Sequence, residues 1–365
     1  MQISRPTWVE INLENLKYNI NQIKKVVGYN VVLGAVLKAN AYGHGIVEVA
    51  KAIEDTEVGY IFVATLSEAL ELRDNNIKVP ILVMGYVQYK FIEIAIKNNI
   101  TLTVFENNQA EKISCIASKI GKVCKIHLKI DTGFNRIGFK FKKDNNDINN
   151  INKIFSLENI QVEGIFSHLA LTNKEEDYKQ YNRFIDIVKK IEKYRVIPIK
   201  HICDSIAMCR YKQFHMDMVR VGAGIYGYTS IDSNLMLKQV MTFKSKIIQV
   251  KDIDIGEGIS YDFTFRANRK MKIGIVPCGY GDGIPRELSN RGYVIINGKR
   301  ADIIGKICMD YSFIDLTNLR EDDYNKDIIF YGENGPDLSD VATLANTNKN
   351  EILSRVSKRV YRLYL

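Results

Sequence analysis

The chain has 365 residues, of which 46% are hydrophobic and 25% are charged. This balance is typical of a globular protein with a sizeable core, and it excludes disordered chains, collagen-like chains and minimal binding modules. The formal net charge is +9, but lysine and arginine are interleaved with aspartate and glutamate, so no basic stripe predicts nucleic-acid binding.

Two further features concern location and partners. No apolar run reaches the roughly 18 residues needed to cross a bilayer, and the first residues, MQISRPTW, lack the basic and apolar regions of a secretion signal. The six cysteines form no CxxC pair, which favours neither a disulfide scaffold nor a zinc site. We therefore expect a cytoplasmic protein with no membrane partner, no nucleic-acid partner and no bound metal.

Short apolar runs rich in β-branched residues recur from residue 31 onward. Each run is separated from the next by a stretch long enough for a helix, and four of these stretches carry apolar residues at helical spacing, at 47–53, 67–73, 91–97 and 178–194. The eight strand-like runs are 31–37, 60–65, 80–85, 102–106, 125–131, 162–168, 200–205 and 217–222.

Eight apolar strands that alternate with helices predict an α/β fold, a closed (β/α)8 TIM-like barrel. A dinucleotide-binding fold is disfavoured because the first strand-to-helix turn, LKANAYGHG, lacks GxGxxG. After about residue 237 strand-like runs follow one another without long helical spacers, which predicts a C-terminal mainly β domain. We expect residues 1–12 to form a strand that joins this domain, 13–237 to form the barrel and 238–365 to form the β domain.

Reactive side chains gather at the predicted carboxyl ends of the barrel strands, where active sites of this fold lie. Any one of them could be polar only because a strand end emerges into solvent, but together they favour a site. They are Lys38, Lys129, Asp131, His168, Asp204, Ser205 and Arg220.

Lys38 ends a strongly apolar strand, and a lysine in such surroundings has a lowered pKa and can act as an amine nucleophile toward a carbonyl. The segment VLKANAYGHG around it resembles the pyridoxal phosphate attachment motif of the alanine racemase family, a fold type III family. Further segments resemble successive family blocks over essentially the whole chain: DTGFNRIGF, GIFSHLA, CDSIA, VRVGAGIYGY, ISYDFTF, PCGYGDGIPR and GKICMD.

The resemblance implies pyridoxal 5′-phosphate bound through Lys38 and a racemase that interconverts L- and D-alanine. Removing a proton from one face of the substrate Cα and returning one to the other needs two acid/base groups on opposite sides. Lys38 is expected to serve one face and Tyr261, from the second subunit of a homodimer with composite active sites, the other. The cofactor-binding residues implied by the resemblance are Lys38, Tyr42, His168, Ser205, Arg220, Gly222, Ala223 and Asn350.

Within this set, Arg220 resembles the arginine that faces the pyridine nitrogen, and His168 the imidazole that lies beside the cofactor and holds the region of Arg220. Arg136 resembles the arginine that contacts the substrate carboxylate, and Lys129 the lysine, carbamylated in many relatives, that steadies it. The remaining implied residues are Met309 and Tyr280, at the substrate, and Asp310, which is expected to position Tyr261.

Three positions depart from the usual family pattern: Asp262 replaces Gly, Asp204 replaces Asn, and Asn350 replaces Tyr. Asn350 resembles the residue of relatives dedicated to serine, so serine is expected as a co-substrate, and serine racemase as the main activity is an alternative. A non-catalytic pyridoxal phosphate carrier would share the lysine motif and the barrel but would lack the second domain. A barrel-type decarboxylase is disfavoured because its C-terminal cysteine and acidic motifs are not apparent.

Overall fold

A computed structural model of the chain describes residues 4–141, 146–229 and 235–365. Strand β1 (Thr7–Ile11) comes first and belongs to the C-terminal half of the fold. A barrel follows, and its eight parallel strands are β2 (Val32–Val36), β3 (Val58–Val63), β4 (Ile81–Val83), β5 (Ile100–Val104), β6 (Cys124–Asp131), β8 (Ile160–Phe166), β9 (Ile199–His201) and β10 (Met218–Val221); the short β7 (Phe139–Lys140) pairs with β6.

The barrel strands are hydrogen-bonded in the order β10-β2-β3-β4-β5-β6-β8-β9. The gap between β9 and β10 is bridged by two backbone hydrogen bonds, from Asp217 N–H to Lys200 C=O at 3.2 Å and from Arg220 N–H to Cys203 C=O at 3.0 Å. The predicted (β/α)8 fold class is confirmed, and each of the eight predicted runs overlaps one barrel strand.

Helices cover the outside of the barrel because the intervening segments are amphipathic and carry start signals. Thr65 and Glu68, for example, form a capping box at the start of the helix after β3. The helices of this region are α1 (Leu13–Val27), α2 (Lys38–Tyr42), α3 (Ile46–Glu54), α4 (Leu66–Asp74), α5 (Ile92–Lys97), α6 (Asn107–Lys119), α7 (Asn146–Ile154), α8 (Lys174–Glu192) and α9 (Ser205–Arg210).

The C-terminal part is mainly β, as predicted. Its elements are β11 (Met241–Ser245), β12 (Gln249–Ile253), β13 (Gly258–Ile259), β14 (Phe265–Arg266), β15 (Met271–Val276), β16 (Tyr293–Ile296), β17 (Lys299–Asp302), β18 (Ser312–Asp315), β19 (Ile328–Tyr331), α10 (Leu338–Leu344), α11 (Lys349–Ser354) and β20 (Tyr361–Tyr364).

The largest sheet of this part has the strand order β17-β16-β19-β11-β1-β20. Strand β1 pairs antiparallel with β11 and parallel with β20, so the two ends of the described chain lie side by side in one sheet. Among the residues that the structure describes, no helix is long and apolar enough to cross a membrane.

Candidate active site

A cavity of about 480 Å³ opens at the carboxyl ends of the barrel strands, where this fold places its active sites. Ten of the fourteen predicted site residues line it. They are Lys38, Tyr42, Lys129, Arg136, His168, Ser205, Arg220, Gly222, Ala223 and Asn350. Asp204, Asn348 and Lys349 also line the cavity, and the last two come from the start of α11 in the C-terminal part.

Lys38 lies at the start of a left-handed turn. The four residues Ala39, Asn40, Ala41 and Tyr42 all have φ between 50° and 54°, a conformation that costs about 1–2 kcal/mol for each non-glycine residue. The turn persists because other parts of the fold hold it. The Asn40 side chain accepts a hydrogen bond from Ile46 N–H at 2.8 Å, and other contacts come from the C-terminal part.

The C-terminal part approaches Gly43, the residue that follows this turn, at two points. Arg362, in β20, donates to the carbonyl of Gly43 at 2.8 Å. Gly43 itself lies so close to α11 that an added Cβ would stand 2.1 Å from the carbonyl oxygen of Leu353. The C-terminal part therefore supports the backbone that carries Lys38.

Burial lowers the pKa of Lys38, and the positive charge of Arg136 lowers it further. Glu68 and Asp204 act in the opposite direction, and Arg220 adds to the lowering. A lysine in these surroundings is more easily deprotonated than one in water, and the neutral amine is the form that acts as a nucleophile or a base.

A cradle of hydroxyl and amide groups also borders the cavity. The Ser205 hydroxyl accepts hydrogen bonds from Gly222 N–H at 3.0 Å and Gly224 N–H at 3.3 Å. An added Cβ at Gly222 would stand 2.5 Å from the hydroxyl of Tyr42, which shows how closely the phenol approaches this backbone. Burial, and to a lesser degree Asp204, raises the pKa of Tyr42 to about 12, so its hydroxyl stays protonated.

Asp204, one of the departures from the family pattern, acts as the N-cap of α9. Its carboxylate accepts hydrogen bonds from Ile206 N–H at 3.0 Å and Ala207 N–H at 2.9 Å. Aspartate and asparagine both serve well at this position. The substitution therefore keeps the cap and adds a negative charge beside the cradle.

The buried guanidinium of Arg220 is held by three acceptors. Nη1 donates to Nδ1 of His201 at 2.8 Å, and Nη2 donates to the carbonyls of Ser167 at 2.8 Å and Ile202 at 3.1 Å. Burial lowers the pKa of Arg220 to about 10, which leaves it protonated at neutral pH. The imidazole that is hydrogen-bonded to the guanidinium is that of His201, and the described hydrogen bonds include none between Arg220 and His168, so the role expected of His168 stays a prediction.

His168 lines the cavity with its ring 5.2 Å from that of Phe134. Burial, followed by the charge of Arg220, lowers its pKa to about 2. The imidazole is therefore neutral, and it offers a hydrogen-bonding edge to the cavity without adding positive charge.

A line of buried groups continues from Arg220 into the barrel interior. Because a guanidinium can only donate, Nδ1 of His201 must accept, and its protonated Nε2 then donates to Nδ1 of His127 at 2.9 Å. The remaining Nε2 of His127 faces a carboxylate oxygen of Glu163 at 3.4 Å. Sequence reasoning missed both histidines, although His127 lies two residues before Lys129 on the same face of β6, a spacing that could have indicated it.

Lys129 and Arg136 are both cavity residues but lie in different surroundings. The Lys129 amine is buried and lies 4.6 Å from the ring centre of Phe166. Burial lowers its pKa well below the usual range, and Arg220 and Arg136 lower it further. No carboxylate pairs with this amine among the described ion pairs. Arg136 lies with its guanidinium 4.5 Å from the ring centre of Phe134.

The other four predicted residues lie outside the cavity of their own chain. Tyr261, Tyr280 and Met309 are exposed, with relative accessibilities of 64%, 42% and 53%. They lie on adjacent loops of the C-terminal part, because Tyr280 N–H donates to the Cys308 carbonyl at 3.0 Å and the Ser260 hydroxyl contacts Cys308 Sγ at 3.4 Å.

Asp310 belongs to the same group of loops, where its carboxylate accepts a hydrogen bond from Arg359 at 2.7 Å. Within the described part of the chain it forms no hydrogen bond with Tyr261. Asp262, which follows Tyr261, pairs with Lys306 and has a φ of 58°. Relatives with glycine at that position adopt such a conformation without strain, whereas aspartate adopts it less readily.

Family models match both parts of the chain. The model for the N-terminal domain of alanine racemase matches residues 11–230, and the model for the C-terminal domain of alanine racemase matches residues 240–364. The chain belongs to the alanine racemase family.

Individual proteins match over the same length. Alanine racemase 2 of Caldanaerobacter subterraneus subsp. tengcongensis is 41% identical over 99% of this chain and 95% of its own. Alanine racemase of Halothermothrix orenii is 38% identical over 100% of this chain and 98% of its own. Because the matches extend through the C-terminal part, they also cover the loops that carry Tyr261 and Met309.

Solved structures agree with the fold. The alanine racemase of Clostridium difficile 630 has a TM-score of 0.94 and 37% identity, and the match covers 100% of this chain and 97% of that one. The alanine racemase of Bacillus anthracis, solved with bound L-Ala-P, has a TM-score of 0.92 and 30% identity, with 100% and 96% covered.

Proposed function

We propose that the chain interconverts L- and D-alanine with pyridoxal 5′-phosphate held on Lys38. The observation that carries this proposal is one cavity in which a lysine with a lowered pKa faces two arginines and a cradle of amide and hydroxyl groups. Arg136 is suited to bind the carboxylate of an amino acid, and Arg220 is suited to donate a hydrogen bond to an acceptor nitrogen. The donors of the cradle are suited to bind a phosphate.

The residues present fit this cofactor. The Gly222 position has no room for a side chain because Tyr42 fills the space beside it, and the protonated hydroxyls of Tyr42 and Ser205 are donors suited to a phosphate. Gly222 and Ala223 would add the backbone of this cradle, and Asn350 its far wall. When bound, the cofactor would withdraw electrons from the substrate Cα and so make the proton on Cα more acidic.

The protein side chains then divide the remaining work. Arg136 would bind the substrate carboxylate through its fork of donors. Lys38 would hold or return the proton at Cα on one face. Arg220, which stays protonated and is fixed by His201, would donate a hydrogen bond to an acceptor nitrogen without surrendering its proton. This arrangement favours prompt return of the proton to Cα over accumulation of a carbanion.

The second face of the substrate needs a second acid/base group. In its own chain Tyr261 is exposed and does not line the cavity, and Tyr280, Met309 and Asp310 lie on neighbouring loops. We infer that these loops complete the cavity of a second copy of the chain, so that the working unit is a homodimer with composite active sites. Met309 and Tyr280 would then border the substrate, and Tyr261 would exchange the proton on the face opposite Lys38.

Serine as a co-substrate is a second proposal, and Asn350 supports it. This residue lines the cavity at the start of α11, where the family pattern has tyrosine. An amide is shorter than a phenol and both donates and accepts hydrogen bonds, so it leaves space for a hydroxymethyl side chain and can bond to it.

Two further expectations belong to the proposal. Lys129 would steady Arg136 if its amine is carbamylated, because the modified group would carry a negative charge near Arg220 and Arg136, whose charges act on this amine. A cytoplasmic location agrees with six cysteines that are all free thiols. The C-terminal part, matched over residues 240–364, disfavours the carrier-protein alternative, which would lack it.

A chiral assay tests the proposal. Purified protein supplied with pyridoxal 5′-phosphate is incubated with L-alanine, and with L-serine separately, in deuterated water. We expect D-enantiomer to accumulate to equal amounts with L-enantiomer, with deuterium at Cα and no release of carbon dioxide. Lys38→Ala should lose the activity. Carbon dioxide release would favour the decarboxylase, and cofactor binding without any exchange at Cα would favour the carrier protein.

A further inference from the structure

The carboxylate of Glu68 contacts the segment that carries Lys38. Glu68 lies in the first turn of α4, and its Oε2 accepts hydrogen bonds from Ala64 N–H at 2.9 Å and Thr65 N–H at 3.1 Å. Its Oε1 accepts a hydrogen bond from Ala39 N–H at 2.6 Å. One carboxylate therefore connects the start of α4 to the first residue of the left-handed turn.

The contact with Ala39 is not required for capping α4. A capping box consists of the bond from Glu68 N–H to the Thr65 hydroxyl, at 3.3 Å here, and the return bond from Thr65 N–H to the Glu68 carboxylate. A glutamate that only capped the helix would need just one carboxylate oxygen, which accepts the return bond. The second oxygen bonds instead to an amide 29 positions earlier in the chain.

The amide that Glu68 contacts lies at the start of the left-handed turn. Ala39 directly follows Lys38 and is the first of four consecutive non-glycine residues with positive φ. Such a turn does not hold itself, because each of its residues prefers another conformation. An ionised acceptor on its first N–H is a strong anchor, since hydrogen bonds to charged groups are about twice as strong as neutral ones.

Glu68 also contributes charge. The charged groups that act on the Lys38 nitrogen are Arg136 and Arg220, which favour its neutral form, and Glu68 and Asp204, which favour its protonated form. Asp204 is already committed to the N-cap of α9. Glu68 is thus one of two carboxylates that oppose the two arginines.

We propose that Glu68 is a positioning residue for Lys38, which fixes the left-handed turn through Ala39 N–H and balances the positive charge around the lysine nitrogen. This inference rests on the proposed function, in which Lys38 carries the cofactor. In this role Glu68 does not touch the substrate or the cofactor. It acts through its hydrogen bond to the main chain and through the electrostatic effect of its negative charge on the Lys38 nitrogen.

The test compares two holoenzyme variants that both damage the cap of α4. Glu68→Gln replaces the carboxylate that Ala39 contacts. Thr65→Ala removes the other half of the capping box and leaves the bond between Glu68 and Ala39 in place. The measurements are the free energy of unfolding in urea, kcat and KM for alanine, and the pH at which the nitrogen of Lys38 loses its proton, read from the visible absorption of the bound cofactor.

We expect both variants to lower the free energy of unfolding. Thr65→Ala weakens the start of α4, and the single acceptor oxygen of glutamine in Glu68→Gln cannot serve both Ala39 N–H and the start of α4. Only Glu68→Gln should lower kcat, by about fivefold with KM nearly unchanged, and only Glu68→Gln should move the absorption midpoint to lower pH. Glu68→Asp, which keeps the charge but is one methylene shorter, should leave the midpoint near that of the wild type and serves as the second variant if Glu68→Gln does not fold.

Coincident kcat values and coincident absorption midpoints for Glu68→Gln and Thr65→Ala would overturn the inference and reduce Glu68 to a helix cap. A midpoint for Glu68→Asp that moves as far as that of Glu68→Gln would overturn the role of charge. Failure of the proposed function would look different, because the wild type itself would then show no cofactor absorption.

Discussion

The contact between Arg220 and His201 gives a prediction whose magnitude follows from the structure. His201→Phe keeps an aromatic ring against Phe166, which stacks on the imidazole at 4.8 Å with an interplanar angle of 4°. It removes the acceptor of Arg220 Nη1 and the donor to His127 Nδ1, and both groups are fully buried. Each buried polar group left unpaired costs about 1–3 kcal/mol, so for the two groups we expect the free energy of unfolding to fall by about 2–6 kcal/mol.

The matched variant is His201→Gln. A glutamine offers one acceptor and one donor, so it can replace both contacts in part, and it should recover at least half of the lost stability. Urea unfolding at the same protein and cofactor concentrations measures both variants, because bound cofactor and dimer formation each shift apparent stability. A loss below about 1 kcal/mol for His201→Phe, or equal losses for the two variants, would refute the role assigned to His201.

Three further predictions concern pH, the cradle and substrate choice. The pKa of the buried His44 is lowered by burial from its usual value to about 4, so below about pH 6.5 the unfolded chain takes up protons that the native state does not. The free energy of unfolding should therefore fall as pH drops from 6.5 to 4, by up to about 1.4 kcal/mol per pH unit for each such histidine. His44→Asn should reduce the dependence of this free energy on pH, measured by urea unfolding, and an equal pH dependence in the variant and the wild type would contradict this. Gly222→Ala should weaken cofactor binding at least tenfold in equilibrium dialysis, since its Cβ meets the Tyr42 hydroxyl, whereas Gly121→Ala, which has no neighbour within 4 Å, should not. Asn350→Tyr should lower kcat/KM for serine relative to alanine about tenfold, and an unchanged ratio would remove Asn350 from the specificity argument.

Periodic patterns were sufficient to predict the barrel. A run such as 125–131 is apolar and short, and a stretch long enough for a helix separates it from the next run. The hydrogen bonds that make it a strand are formed with neighbours of the same kind. The left-handed turn after Lys38 could not be predicted in this way. Its residues Ala39 and Ala41 favour right-handed helix, and the partners that override this preference, Glu68 and Arg362, are distant in the sequence.

The residues of the candidate site also divide into those that could be predicted from the sequence and those that could not. Lysine, arginine and serine residues at strand ends could be predicted to meet, because parallel strands direct their carboxyl ends to one rim. The spacing to Lys129 on β6 could have indicated His127, but the roles of the two interior histidines could not be predicted, because a lone histidine in an apolar strand looks like a core residue. The donor-only chemistry of Arg220 explains why His201 and His127 lie where they do. The loops around Tyr261 and Met309 lie outside the cavity of their own chain, so the proposed site would be complete only with a second copy of the chain.

The most direct test of the account is therefore to mix two inactive variants, Lys38→Ala and Tyr261→Phe. If each cavity takes Lys38 from one copy and Tyr261 from the other, half of the dimers formed by subunit exchange are mixed and each mixed dimer has one intact cavity. The alanine racemase activity of the mixture should therefore rise to about a quarter of the wild-type value. Mass spectrometry verifies that the subunits have exchanged. If the activity then stays at the average of the two separate variants, a composite site built from Lys38 and Tyr261 is contradicted.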